Sequence, residues 1–192
     1  MNFKNCQWLN EPSEWFLENE VLYVTTNNAT DFWRDTHYGF TRHSGHVFGC
    51  QVDGDFTLQL CIEGEFKELY DQAGLMIEQD PQHWCKAGIE FSDNQYLMSS
   101  VLTNDKSDWA TGVYQGNPNK LWMRATIECG VLRLQYSHDS LIWPLIRLCP
   151  FPGAGKFFVG AMCCTPERGG LKIRFSEFSI SKPLAKGLHD LS

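Results

Sequence analysis

From Phe56 to Ile180 the apolar residues recur at every second position in short runs broken by turn residues, and nowhere at the spacing of a helix face. A period of two marks a strand with one face buried, whereas a packed helix would show a period near 3.6. The chain is therefore expected to be all-β, with many short strands stacked in two layers. Phe56, Leu58, Leu60 and Ile62 form one inward set after the turn Asp53-Gly54. Ala73, Leu75 and Ile77 form a second, and beyond Gln79 to His83 the set Cys85, Ala87, Ile89 and Phe91 completes a hairpin. Further strands are expected at 96–103, 121–128, 131–137, 157–163 and 171–180, the last with a bulge near Ser176-Glu177 that returns Phe178 and Ile180 to the inward side. Trp15 to Thr26 reads as a strand pair, and Thr30 to Gly49 as a loop rich in His, Gly and aromatics.

At 192 residues the chain is expected to fold as one sandwich domain with residues 183–192 a loosely held tail. The net charge of -7 and the lack of a basic run exclude a phosphate-tracking surface, so no nucleic-acid partner is expected. No stretch is apolar for long enough to span a membrane, and Met1 to Asn10 lacks a signal-peptide core, so the expected address is cytoplasmic, without a membrane partner. In that compartment the eight cysteines are expected to be reduced, and several sit at inward strand positions as small hydrophobes. No C-x-x-C pair and no metal-ligand spacing of the six His is present, so neither a metal nor a cofactor is expected. No G-x-S-x-G and no phosphate-cradling glycine loop is present either.

Several stretches are familiar: Thr30-Asp31-Phe32-Trp33, the run from Tyr70 to Ile77, the run from Trp84 to Phe91, Ser107-Asp108-Trp109, Leu121-Trp122-Met123-Arg124, Tyr136-Ser137-His138-Asp139 with Trp143, and Val159-Gly160. Together they resemble a concanavalin A-like family, much of it of unknown function, that includes a fungal regulator of enolase. The resemblance covers nearly the whole chain and implies a two-sheet jelly-roll sandwich, an architecture shared with lectins, glucanases and the accessory domains of some xylosidases. It implies no single activity, since this architecture hosts binders and enzymes alike. Where many relatives have Asp-Gly, this chain has Asp139-Ser140, a side chain at a position that often needs positive φ.

Pairing across the hairpin turn sets Gln72 opposite Glu90, Gly74 opposite Gly88, Met76 opposite Lys86 and Glu78 opposite Trp84 on the face away from the core. Pairing onward sets Ser99 opposite Gly88 and Leu97 opposite Glu90, so Gly74, Gly88 and Ser99 form a stripe of small residues, read as a shallow trench. Lys86 and Glu90, about 13 Å apart along one strand, would bracket a space for a pair of sugar rings. Gln72, Trp84 and Trp109 would flank it, with Trp122 and Arg124 adding a stacking ring and a planar donor if their strand joins the same sheet. Alternatively a loop carrying Trp109 packs into the trench. Three readings follow: a non-catalytic module binding a carbohydrate or similar polar small molecule; a protein-interaction module acting on a cytoplasmic metabolic enzyme; and a glycoside hydrolase using Glu90 with Asp71, Glu78 or Glu128. The hydrolase would need two carboxyls about 5 to 9.5 Å apart, and the glucanase-like E-x-D-x-E strand motif is missing.

Overall fold

A computed structural model describes residues 1–151 and 155–192. After a single 3-10 turn at Phe3–Asn5 come β1 (Gln7–Leu9), β2 (Glu14–Glu18), β3 (Val21–Thr25), β4 (Phe32–Arg34), β5 (Thr41–His43), β6 (His46–Asp53), β7 (Phe56–Gly64) and β8 (Gln72–Asp80). The chain continues through β9 (His83–Ser92), β10 (Gln95–Asn104), β11 (Lys106–Val113), β12 (Lys120–Glu128), β13 (Val131–Ser137), β14 (Leu145–Pro150), β15 (Lys156–Cys164) and β16 (Lys172–Ser181). Two seven-stranded antiparallel sheets result, a first in the order β1-β6-β15-β8-β9-β10-β11 and a second in the order β14-β13-β12-β7-β16-β3-β2; β4 and β5 pair only with each other. This is the concanavalin A-like sandwich.

The alternating sets meet between the sheets. Ala73, Leu75, Ile77, Cys85, Ala87 and Ile89 of the first sheet face Leu58, Leu60, Ile62, Leu121, Met123, Ala125 and Ile127 of the second, all at most 2% exposed. The bulge in β16 falls between Ser176 and Ser179, with Glu177 at φ 53°, and it returns Phe178 and Ile180 to the core as the inward pattern requires.

The expected loop from Thr30 to Gly49 is where sequence and structure part. It contains the β4–β5 hairpin and the start of β6, whose residues His46 to Cys50 are all buried. Both faces of β6 are covered over these five residues, so their side chains show no alternation to read; it begins only with exposed Gln51 and Asp53 around buried Val52. The cover is the hairpin itself. Phe32 and Trp33 pack with Val47, Met76, Trp84, Val101, Met162 and Cys164 in a second apolar cluster on the outer face of the first sheet. Edge strands β1, β11 and β14 were also illegible, being short or, as in β11, exposed almost throughout. Trp109 accordingly lies on β11 and not on a loop.

Residues 183–192 are pinned at several points. Leu184 N–H donates to Thr57 Oγ1 at 3.3 Å, Arg133 to the Lys186 and Gly187 carbonyls, and Trp143 N–H to Leu191 O at 2.7 Å. Among the described residues no helix is long and apolar enough to cross a membrane.

Candidate functional site

The β8–β9–β10 register is the one the turn lengths predict: Gln72 pairs with Glu90, Gly74 with Gly88, Met76 with Lys86, and Gly88 with Ser99. What lies above the glycine stripe differs from the trench expected. A Cβ built on Gly88 would fall on Ala73 O and within 2.6 Å of Gly74 Cα, and one on Gly74 would fall on Ala87 O and within 2.7 Å of Gly88 Cα. The glycines are thus demanded by close approach of two backbones within the sheet, not by an occupant above it. Met162 of β15, paired with Gly74, lines the niche that remains, a space of about 10 Å³, at most one water.

The binding-sized space lies beside the stripe. A pocket of about 190 Å³ has Gln72, Lys86 and Glu90 among its floor residues, and Trp33, Tyr38, Phe40, Tyr70 and Trp109 among its walls. Lys86 is 3% exposed and its Nζ donates to Asp31 Oδ1 at 3.1 Å; Glu90 is 2% exposed and Gln72 7%. Lys86 and Glu90 do not bracket a two-ring groove. Both side chains line this one pocket, close enough that each charge bears on the other.

Burial alone would pull the Lys86 pKa down, but the charges of Asp31 and Glu90 and the hydrogen bond to Asp31 oppose this, and the ammonium is held charged above its usual range. Burial pushes the Glu90 carboxyl up, against the opposing pull of Lys86 and the polar hydrogens of Ser99 and Trp109. A buried ion pair adds little net stability over a well-packed apolar pair of the same volume. The Lys86–Asp31 pair, with Glu90 and Gln72 beside it, is therefore poorly explained as a device for holding the sheet together.

Above this floor Trp109 Nε1 donates to Ser99 Oγ at 3.0 Å, which fixes its ring against the β10 backbone. Tyr38 and Phe40, on the β4–β5 connection, stack at 5.5 Å, and the Arg42 guanidinium sits 4.7 Å over the Phe40 ring. Tyr70, at φ 63°, reaches in from the β7–β8 connection.

Of the residues expected at the site, Gln72, Lys86, Glu90 and Trp109 line the pocket, and Gly88 and Ser99 line the adjoining niche, whereas Gly74 lines neither. Trp84 does not reach it. Its side chain is fully buried beneath the hairpin, 6.0 Å from the Phe32 ring. Trp122 and Arg124 are on β12, in the second sheet, and face away from the pocket. There Trp122 Nε1 donates to Glu177 at 2.9 Å, while Arg124 stacks 4.1 Å from the Trp143 ring and donates to Gln135, its pKa pulled down to about 10 by burial and by Arg133. Ser140 takes φ 63°, the left-handed turn its Gly counterpart would favour, and Trp143 is a buried cover for Arg124.

The acids considered as partners of Glu90 are engaged elsewhere. Asp71 is sealed by Arg168 and the Lys67 and Glu68 amides, Glu78 is 3.2 Å from His43, and Glu128 ends β12 on the other sheet. Asp108 pairs with Arg147 at 2.6 Å. Asp31, which the strand pattern did not reveal as a site residue, supplies the carboxylate beside Lys86 and Glu90. Its signal was present only as part of the Thr30 to Trp33 run.

A wider depression of about 760 Å³ lies on the second sheet near Phe16, Tyr23 and Arg174, but its buried lining residues, Val24 and Ile173, are apolar. Among the described residues no cluster of three potential metal-ligating side chains occurs.

The family described as "Protein of unknown function (DUF1349)" matches residues 8–183. "Regulation of enolase protein 1" of Saccharomyces cerevisiae is 55% identical over 185 residues, 96% of this chain and 93% of that protein. The crystal structure of a functionally unknown protein from Saccharomyces cerevisiae superposes with a TM-score of 0.94 at 51% identity, covering 96% of this chain and 100% of that one. At 14% identity, where only the fold is shared, the carbohydrate binding module CBM66 from Bacillus subtilis superposes with a TM-score of 0.51 over 83% of this chain and 95% of that one. The match over most of the chain and the shared sandwich place this protein in the DUF1349 family of concanavalin A-like β-sandwiches, as a relative of the yeast protein named for regulation of enolase.

Proposed function

We propose that this protein is a non-catalytic binding module whose pocket on the outer face of the first sheet takes a carbohydrate or a similarly polar small molecule in the cytoplasm. One observation carries the reading: Lys86, Glu90 and Gln72 are buried together at the base of an aromatic-walled pocket. A sugar presents apolar ring faces, which aromatic walls meet, and hydroxyls that both donate and accept, which an ammonium, a carboxylate and an amide meet together. The fold shared with a carbohydrate binding module is consistent with this reading. Titrating a panel of mono- and oligosaccharides while following Trp fluorescence tests it through Trp33 and Trp109. A saturable change that Glu90→Gln weakens by about tenfold or more is expected. A panel with no binder would sink the reading.

A second reading takes the relative's name as its lead: a surface for a metabolic enzyme such as enolase. Edge strand β2 supports it, because its Trp15, Phe16 and Leu17 are 36%, 54% and 37% exposed and its outer backbone edge is free to pair. Sedimentation of the purified chain mixed with enolase should then show a complex that Phe16→Glu abolishes. A mixture that sediments as two separate species removes this reading and leaves the first intact.

A further inference from the structure

Four of the pocket's aromatic residues touch one another in a closed circuit. Trp33 meets Tyr38 edge-on at 5.5 Å and Trp109 at 6.4 Å, Tyr70 meets Trp109 at 6.4 Å, and the Tyr38 and Tyr70 hydroxyls are 3.3 Å apart. They come from three separate places in the chain: the β4–β5 hairpin, the β7–β8 connection and the edge strand β11. Each therefore closes a direction that would have been open on a bare sheet face. The hairpin does this most completely, because Phe32 and Trp33 are anchored in the apolar cluster over Met76, Trp84 and Val101 and occupy the sheet face next to the floor.

We infer that the pocket is blind and takes one ring-sized polyhydroxy unit end-on, either a free monosaccharide or the terminal unit of a chain, and excludes internal units. This deepens the carbohydrate reading and rests on it. The size agrees: pockets for drug-sized ligands run to about 300–1,000 Å³, and this one holds about 190 Å³. The floor chemistry agrees as well. Lys86 gives one of its three N–H donors to Asp31, and Glu90 is a buried acceptor beside it. Two neighbouring free hydroxyls can accept from the one and donate to the other. An internal unit of a chain can keep such a pair as well, so the hydroxyls alone do not exclude it; what excludes it is that it must send chain out on two sides, into the collar.

The test is calorimetric titration of the full chain with free xylose, glucose, galactose, mannose, arabinose and fructose, and with linear oligosaccharides of two to six units from each. Blind, end-on binding predicts one protein per oligosaccharide at every length and an affinity per chain that stays within about threefold of the free sugar's. Affinity that climbs with length, or several proteins on one chain, overturns the inference and leaves the carbohydrate reading standing. If none of these sugars binds, both fall. A second measurement uses Tyr38→Ala. Tyr38 is 46% exposed, so the variant should melt with the parent, and opening the collar there should weaken the free sugar by about tenfold. Unchanged affinity in the folded variant would mean that the collar does not define the site.

Discussion

At the scale of single residues, the two mid-strand glycines show how a correct register can still mislead about purpose. Gly74 and Gly88 are opposed as their sequence positions require, and the open trench read from them is replaced by contact between backbones. Gly88→Ala should therefore destabilise the fold by about 3 kcal/mol, through a methyl forced against the Ala73 carbonyl, and a denaturant melt beside the parent protein would measure it. A variant as stable as the parent would show that the sheet can part there. Glu90 makes the opposite prediction. Its folded pKa is raised, chiefly by burial, so between the ordinary carboxylate range and that raised value the folded state holds more protons than the unfolded one. Stability contributed by this group is thus greatest at acid pH and falls as pH rises through the folded pKa. Glu90→Gln removes the cost of the buried charge, so its melting temperature should exceed the parent's by a few degrees at pH 7, and the difference should vanish near pH 4, while sugar binding weakens. Equal melting temperatures at neutral pH would contradict the burial argument.

At the scale of elements, the β4–β5 hairpin decides what the first sheet's outer face can do. Its strands are three residues each and pair only with one another, so the hairpin depends on its apolar anchors. Phe32, fully buried against Trp84 and His43, is the main one. Phe32→Ala removes an aromatic side chain of the kind whose loss costs about 3–5 kcal/mol when the surroundings cannot collapse. That loss falls first on the hairpin, so hydrogen exchange at residues 32–43 should accelerate well before exchange in β8 and β9. Exchange that accelerates equally in all these strands would show that the hairpin is part of the global unit. The hairpin could not be read from alternation, because its segment is three residues of strand, a connection and three more. The Asp31-Phe32-Trp33 run did show that something apolar was there, but not that it folds back over the sheet.

For the whole molecule, the ends of the chain close the sandwich. The Met1 amino group donates to Ile180 O at 2.8 Å, and Phe3 stacks on Phe178 at 4.3 Å, so the first residues lie against the last strand. The segment 183–192 then crosses the outer face of the second sheet, over Thr57 and Arg133 to Trp143. Ending the chain after Lys182 should cost about 2–4 kcal/mol, from the lost backbone hydrogen bonds and the uncovered Arg133, without unfolding the sandwich. An equilibrium urea melt would give the value, and a truncated chain as stable as the full one would mean that the tail contributes nothing.

The sequence alone determined the strand class, the hairpin register from Gln72 to Ser99, the inward residues of β7, β8 and β9 and the β16 bulge, because period-two patterning and turn length are local and one face of each of these strands is buried against the core. It also placed Gln72, Lys86 and Glu90 on one face, since register fixes which side chains share a face; Trp109 reaches the same pocket from β11, a strand the alternation did not show. Tertiary structure decided the rest. Which sheet receives β12, and so where Trp122 and Arg124 point, depends on crossovers between layers that leave no periodic trace. Likewise Asp31, Tyr38 and Tyr70 reach Lys86 and Glu90 only because irregular connections fold over the sheet, and a connection's path is set by the surface it packs on, not by the order of its own residues.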